Sequence, residues 1–174
     1  WKGVLTPKKA GDGADAPGRK PGSYKWYEIQ DEVAYFEEFA SPKIVYPVIA
    51  QKPTFALATG SEFCNDKAYI IGSADLYLLA VLNSSCFWHF VRAVCSPLQG
   101  IFYEMRRASL TDMPIPNASA TDRAAIGTLV QKCLDAKGEN CEAWEKEIDD
   151  RVAALYGLDS VPTVAGHDRT SATP

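Results

Sequence analysis

Pro42-Lys43-Ile44-Val45-Tyr46-Pro47 is the stretch on which the reading of the fold turns. Its centre is β-branched and aromatic, which favours extended backbone, and the flanking prolines argue against both a helix and the interior of a longer central strand. Two further strand candidates follow, Pro53 to Thr59 and Ala68 to Ile71, with a turn at Asn65-Asp66 that separates Glu62-Phe63-Cys64 from the second of them. On the N-terminal side, Tyr24-Lys25-Trp26-Tyr27-Glu28-Ile29-Gln30 predicts a short strand, and Val33 to Phe39 a short helix or turn. Before these, residues 6–23 hold four glycines, three prolines and the cations Lys8, Lys9, Arg19 and Lys20, with almost no large apolar side chain. That composition describes a flexible loop or linker over residues 1–23.

Towards the C-terminus the periodicity changes. Ser73 is placed to cap a helix that begins at Ala74, with Asp75 in its first turn, where the helix dipole favours a carboxylate. Asn83-Ser84-Ser85 predicts a break and a new cap, Phe87 to Cys95 a second helix, and Ile101 to Arg106 a return to strand. Met113-Pro114-Ile115-Pro116 closes the domain, because two prolines in that register continue neither helix nor central strand. Beyond it, Ile126, Leu129, Val130, Cys133 and Leu134 share one helical stripe, and Trp144, Ile148, Val152, Leu155 and Tyr156 share another. Gly138-Glu139-Asn140 supplies a turn between them, Glu142/Lys146 and Glu147/Arg151 have the favourable spacing of four, and Gly157 is placed to stop the second helix. The expected fold class is α+β: a small mixed or antiparallel sheet with packed helices over residues 24–118, an αα-hairpin over 119–158, and a loose tail over 159–174.

The composition, 47% hydrophobic and 23% charged, is that of a folded globular protein. The net charge of -4 is unevenly spread. Residues 1–118 hold 12 Lys/Arg against 12 Asp/Glu and residues 119–174 hold 6 against 10, while residues 1–30 are locally basic at 6 against 3. A near-neutral domain with basic loops touches phosphates but draws most of its affinity from a basic neighbour. Five cysteines form no CxxC pair, which removes a zinc site and fits free thiols in a reducing cytoplasm. The most apolar stretch, Leu76 to Cys95, is broken by Asn83, Ser84, Ser85, His89 and Arg92, so no membrane span is expected. The chain begins at Trp1, from which a fragment of a longer protein is expected.

No catalytic constellation emerges. The glycine-rich turn that holds a methyl donor and the Asn/Asp-Pro-Pro-aromatic loop that holds a target amine are both missing, and the close pair Gly11/Gly13 follows no strand. Asp31, Glu32, Glu37 and Glu38 imitate a nuclease metal cluster only loosely, and a solvated acidic face is the simpler account. Cys86 and His89, three apart on a helix, suggest a nucleophile and base for an independent hydrolase, but no third orienting group accompanies them, and core packing is the plainer role. What remains is a set of basic and aromatic side chains near turns and strand ends. Lys25, Lys43, Gln51, Lys52, Lys67, Tyr103, Arg106 and Arg107 are the candidate DNA contacts, with Lys43 first and the Arg106/Arg107 pair second. Any α+β domain carries a comparable number of exposed cations, so this set alone does not establish DNA binding.

Six segments in order carry a resemblance: Trp26-Tyr27-Glu28-Ile29-Gln30; Pro42 to Pro47; Phe63-Cys64-Asn65-Asp66-Lys67-Ala68-Tyr69; Asp75 to Ser84; Phe102-Tyr103-Glu104 leading into Met113 to Pro116; and Glu147-Ile148-Asp149 with Leu155-Tyr156-Gly157-Leu158. Together they resemble the TaqI-like C-terminal specificity domain of type IIG restriction-modification enzymes and adenine-specific DNA methyltransferases. The resemblance implies double-stranded DNA as partner and an upstream methyltransferase domain that uses S-adenosylmethionine, in many relatives with a nuclease domain before it. No cofactor is expected on this chain itself. The loop from Pro7 to Gly22 aligns with nothing in that pattern. The alternative is a protein-interaction or subunit-docking module of the same kind of enzyme, suggested by the acidic C-terminal third.

Overall fold

Residues 43–50 form one extended path shared by two small antiparallel sheets. The structure is a computed structural model and describes residues 1–30, 36–60 and 62–159. Strand β1 (Lys43–Pro47) is the centre of the first sheet, between β3 (Ala56–Ala58) and β4 (Ala68–Ile71). Ile44 lies opposite Leu57 and Ile71, and Tyr46 opposite Tyr69, so alternate residues of β1 face the core. Pro47 has no N–H to give, and the next residue completes the pairing: the Val48 N–H donates to the Lys67 carbonyl at 2.9 Å. The carbonyl of Val48 accepts from the Met105 N–H at 2.7 Å. The chain thereby passes into β2 (Ile49–Ala50), which pairs with β6 (Phe102–Glu104), itself paired with β5 (Ser96–Leu98). The expected α+β class, a small antiparallel arrangement with packed helices, is what forms.

Helix α2 (Leu76–Asn83) lies in the core, with Tyr77, Leu79, Ala80, Val81 and Leu82 all buried. Each fully buried Leu or Val contributes roughly 1.5–3 kcal/mol. Its cap is Asp75, whose carboxylate accepts the Tyr77 N–H at 2.9 Å, and not Ser73, as the sequence pattern suggested. Ser73 acts one step earlier, accepting the Asp75 N–H on its hydroxyl at 3.2 Å. At the other end Asn83 imitates a strand. Its amide oxygen accepts the Phe55 N–H at 3.0 Å and its amide nitrogen donates to the Phe55 carbonyl at 2.9 Å, which ties the segment before β3 to the helix. Ser84 breaks the helix as expected and caps α3 (Ser85–Val94), accepting the Phe87 N–H at 3.1 Å.

The hairpin of α5 (Ala120–Asp135) and α6 (Glu142–Leu155) belongs to the same core. Ile126, Leu129, Val130, Ile148 and Val152 pack with the buried residues of α2 and α3. Polar bonds fix the docking. The Asp149 carboxylate accepts both the Ser85 N–H, at 2.9 Å, and the Ser85 hydroxyl, at 2.7 Å, so α6 supplies the negative charge at the start of α3. Arg123 of α5 pairs with Asp75 and lies 4.4 Å over the Tyr77 ring. The connecting segment is held by two phenols, with Tyr77 donating to the Pro116 carbonyl and Tyr156 to the Pro114 carbonyl, each at 2.7 Å. Gly138 and Gly157, at φ 78 and 72, make the turn and the terminal stop expected of them. Arg151 pairs with Glu147 at 2.7 Å, but Lys146 turns towards Asp150, at 2.5 Å, instead of Glu142.

Residues 1–36 form a separate compact unit. It holds the short helix α1 (Lys2–Leu5) and a bridge between Pro7 and Arg19. The strand expected over Tyr24 to Gln30 is a turn, closed by the Glu28 N–H on the Lys25 carbonyl at 3.0 Å. The reason is Arg19: its guanidinium donates to the carbonyls of Leu5, Lys25, Trp26 and Glu28, occupying acceptors that a neighbouring strand would use. Asp31, Glu32, the first three residues of the helix or turn expected at Val33 to Phe39, and nearly all of the tail expected at 159–174 lie outside the described residues. Within that first span, Phe36–Ala40 is a 3-10 helix.

Replacing Asp149 with alanine strips the charge from the α3 cap and is expected to lower unfolding free energy by roughly 1–2 kcal/mol, read as a shift of the urea midpoint with unchanged slope. Burial pushes the phenols of Tyr46 and Tyr156 up to about 12, against an ordinary 10.0. A folded-state value above the unfolded one means stability is intact below pH 10.0 and is lost as pH rises through about 12. Tyrosinate absorbance should therefore show a late component that shrinks in the Y46F/Y156F double variant to what Tyr77, whose phenol burial also raises, contributes. An undiminished late component there would contradict the assignment.

Candidate nucleic-acid interface

Lys43, the first candidate from sequence, faces inward. Its side chain is 0% exposed, and its ammonium donates to the carbonyls of Phe39 at 2.8 Å, Gly60 at 2.9 Å and Ser41 at 3.3 Å. Glu62 approaches at 3.8 Å. The backbone N–H groups of Glu62 itself and of Gly60 hold its carboxyl below the usual carboxylate range, and Lys43 adds to the effect. An ammonium enclosed in this way ties the segment of Phe39 and Ser41 to that of Gly60 and has no donor left over for a phosphate. The placement of Lys43 as a DNA contact is therefore corrected to a structural one. The sequence shows a lysine on a strand, but not that three carbonyls converge on it.

The second pair fares differently. Val48 accepts from Met105 and donates to Lys67, so Arg106 and Arg107 come to the same place as Lys67 although they are far apart in sequence. Arg106 is exposed and pairs with Glu104 at 2.9 Å, which raises its already high pKa. Lys67 pairs with Asp66 at 2.8 Å, raising the lysine and lowering the aspartate. Arg107 opens helix α4 (Arg107–Leu110) and, among the described residues, carries no ion pair. Its charge is felt at the Tyr46 phenol, and that of Arg106 interacts with Tyr69. The cations lie near exposed Tyr69, whose ring is tilted against that of buried Tyr46 at 5.5 Å between centroids, so the surface there is basic with one aromatic ring on it. Two of the three charges are already answered by carboxylates, so its net pull on a phosphate backbone is modest.

The remaining candidates are not drawn into this group. Gln51 and exposed Lys52 follow β2 in a loop. Tyr103 turns its ring against buried Trp88 at 5.7 Å, which gives it a packing role. Lys25 belongs to the N-terminal unit, where it pairs with Glu28 at 3.7 Å. Tyr69 and the exposed Arg92 were missed. The register of Tyr69 opposite Tyr46 carried a signal for the first, whereas α3 reads from sequence as a core helix and gave none for the second.

The two thiols considered as nucleophiles are buried and held protonated. Cys86 is buried, and its burial, then Asp149, push its pKa up; burial does the same to Cys95. A raised thiol is a protonated one, so the hydrolase reading built on Cys86 or Cys95 with His89 loses its reactive form. Among the described residues no group of three His, Cys, Asp or Glu is arranged to hold a metal ion, and no helix is long and apolar enough to cross a membrane.

The family model of the TaqI-like C-terminal specificity domain matches residues 8–115. The match takes in the basic loop from Pro7 to Gly22 from Lys8 onward, which sequence reading could not align, and ends before the α5–α6 hairpin. No curated protein matches the chain.

Replacing Lys43 with methionine leaves buried carbonyls unanswered and should cost roughly 2–3 kcal/mol of stability. DNA affinity, measured under conditions where the variant is still folded, should stay within error of the wild type. A loss of affinity without a loss of stability would restore Lys43 to the interface.

Proposed function

The chain belongs to the TaqI-like C-terminal specificity domain family, and from that premise we propose that it is the target-recognition module of a site-specific adenine-N6 DNA methyltransferase or type IIG restriction-modification enzyme. The observation that carries this reading is the convergence of Lys67, Arg106 and Arg107 at Val48, inside the matched residues. S-adenosylmethionine and the methyl-transfer chemistry belong to a methyltransferase domain outside this chain, in some enzymes joined by a nuclease domain. That domain takes the flipped base while this module contacts the duplex beside it and reads flanking positions. The five free cysteines suit work in the cytoplasm.

A second reading, a subunit-docking module, draws on the acidic surface of the hairpin, since residues 119–174 hold 10 Asp/Glu against 6 Lys/Arg. Under the leading reading that surface faces away from DNA, because like charge repels the phosphate backbone.

Fluorescence anisotropy with duplex DNA separates the two. Binding should be weak and salt-sensitive, and Arg107→Gln should lower affinity and reduce the slope of log affinity against log salt by about one. A salt-independent association with protein and no retention of DNA would favour docking.

A further inference from the structure

The β5–β6 hairpin stands out from its sheet. Strand β2 pairs with β6 at Tyr103 and Glu104 alone, so beyond it the hairpin continues two-stranded for one further pair, Leu98 opposite Phe102, and its turn. Its tip is Gln99-Gly100-Ile101. Gln99 and Gly100 both take positive φ, 43 and 86, and open space surrounds Gly100. The side chains at the tip point to solvent: Gln99 is exposed and Ile101 is 52% exposed. On the strands the faces divide. Tyr103 and Pro97 share the face that leads to buried Ala50 and Trp88, while Phe102, Leu98 and Ile49 share the outer one.

Charge around the ribbon is one-sided. Between Asp75 and Glu104 the sequence contains no Asp or Glu at all, although the chain has 22 of them. Cations stand at the ribbon's base instead: Arg106 on Glu104, Arg107 next to it, and Arg92 on the exposed side of α3, which runs into β5. A tip of one amide and one apolar side chain, on a stem whose one carboxylate, Glu104, is paired with Arg106, with further cations at its foot, complements a groove walled by phosphates.

Resting on the reading of this chain as a DNA-recognition module, we infer that the β5–β6 ribbon enters the major groove of double-stranded DNA, with Gln99 reading an adenine edge and Ile101 lying against a thymine methyl group. The dimensions agree. A major groove about 12 Å wide and about 8.5 Å deep admits a two-stranded ribbon. At about 3.3 Å per residue, the Leu98–Phe102 pair and the tip reach about 7 Å beyond the part of β6 that pairs with β2, most of the depth of the groove, with Arg106 and Arg107 behind them on the side of the phosphates. The chemistry agrees as well. A glutamine amide offers one donor and one acceptor, the complement of adenine N7 and N6, and an isoleucine offers the apolar surface that a thymine methyl prefers. The positive φ of Gln99 is the backbone state of a hairpin turn, which holds the amide at the outermost point of the ribbon.

The test is selection of bound duplexes from a randomised library at low salt, with the wild-type chain and with Gln99→Gly, Ile101→Ala and Arg107→Gln. Glycine favours the φ of position 99, so Gln99→Gly removes the side chain without straining the turn. The wild type should enrich a defined sequence. Gln99→Gly and Ile101→Ala should each lose preference at one or two adjacent A·T pairs by roughly tenfold while keeping overall DNA retention. Arg107→Gln should weaken retention of all sequences alike. If both tip variants enrich the wild-type sequence unchanged, the ribbon assignment falls while the recognition function stands. If the tip variants read DNA normally but lose association with the methyltransferase domain, the ribbon is a protein contact and the assignment falls. If the wild-type chain retains no DNA, the recognition function falls and the ribbon assignment with it.

Discussion

Val48 is the residue at which two sheets are joined. One peptide unit donates to Lys67 on one side, and the carbonyl that follows accepts from Met105 on the other, so the extended chain from Lys43 to Ala50 leaves β4 and takes up β6 without a loop between. Pro47, with no N–H of its own, ends β1, and Val48 makes the last bond to the β4 side before the chain turns to β6. Everything attributed to the interface depends on this exchange. Lys67 arrives from the turn before β4 and the two arginines arrive from the end of β6, and only the shared backbone of residue 48 makes them neighbours.

The helices show the same economy of polar groups in a different setting. Each of the three side chains that organise the helical layer replaces something a helix or strand lacks at its end. Asn83 supplies a strand-like donor and acceptor to Phe55, Ser84 answers an unsatisfied N–H of α3, and Asp149 reaches across from α6 to the start of that helix. Because Asp149 lies outside the residues that match the family and Ser85 lies inside them, the helical hairpin and the matched domain share not only an apolar core but a charged one-to-one contact.

How much of this was legible follows from the range over which each signal acts. The β1 run, the Ser84 break and the stop at Gly157 were readable because each is decided by a few adjacent residues, through backbone preference or a cap. Two-residue β2 and the Ser96-Pro97-Leu98 strand were not, because they are extended only by virtue of their partner β6. The false strand at Tyr24 to Gln30 has the right residue types, but Arg19, from outside the segment, takes its carbonyls. In the candidate interface, the arginine pair stands just after β6, as its place behind a strand-like run suggested. Lys43 was misplaced because charge on a strand says nothing about which carbonyls close over it, and Tyr69 was overlooked because its value lies in the ring beside it, on another strand.

The two phenols that hold the proline segment have a consequence for how such a module can be exchanged. Tyr77, from inside the matched residues, and Tyr156, from beyond them, both end on the carbonyls that flank Ile115, the last residue matched. A border drawn by family likeness thus falls at the middle of a clamp. A chimera spliced there would inherit one jaw from each parent and open the buried side of α2 to water. The natural cassette for transplanting specificity runs on through Leu158 and carries its own helical buttress with it.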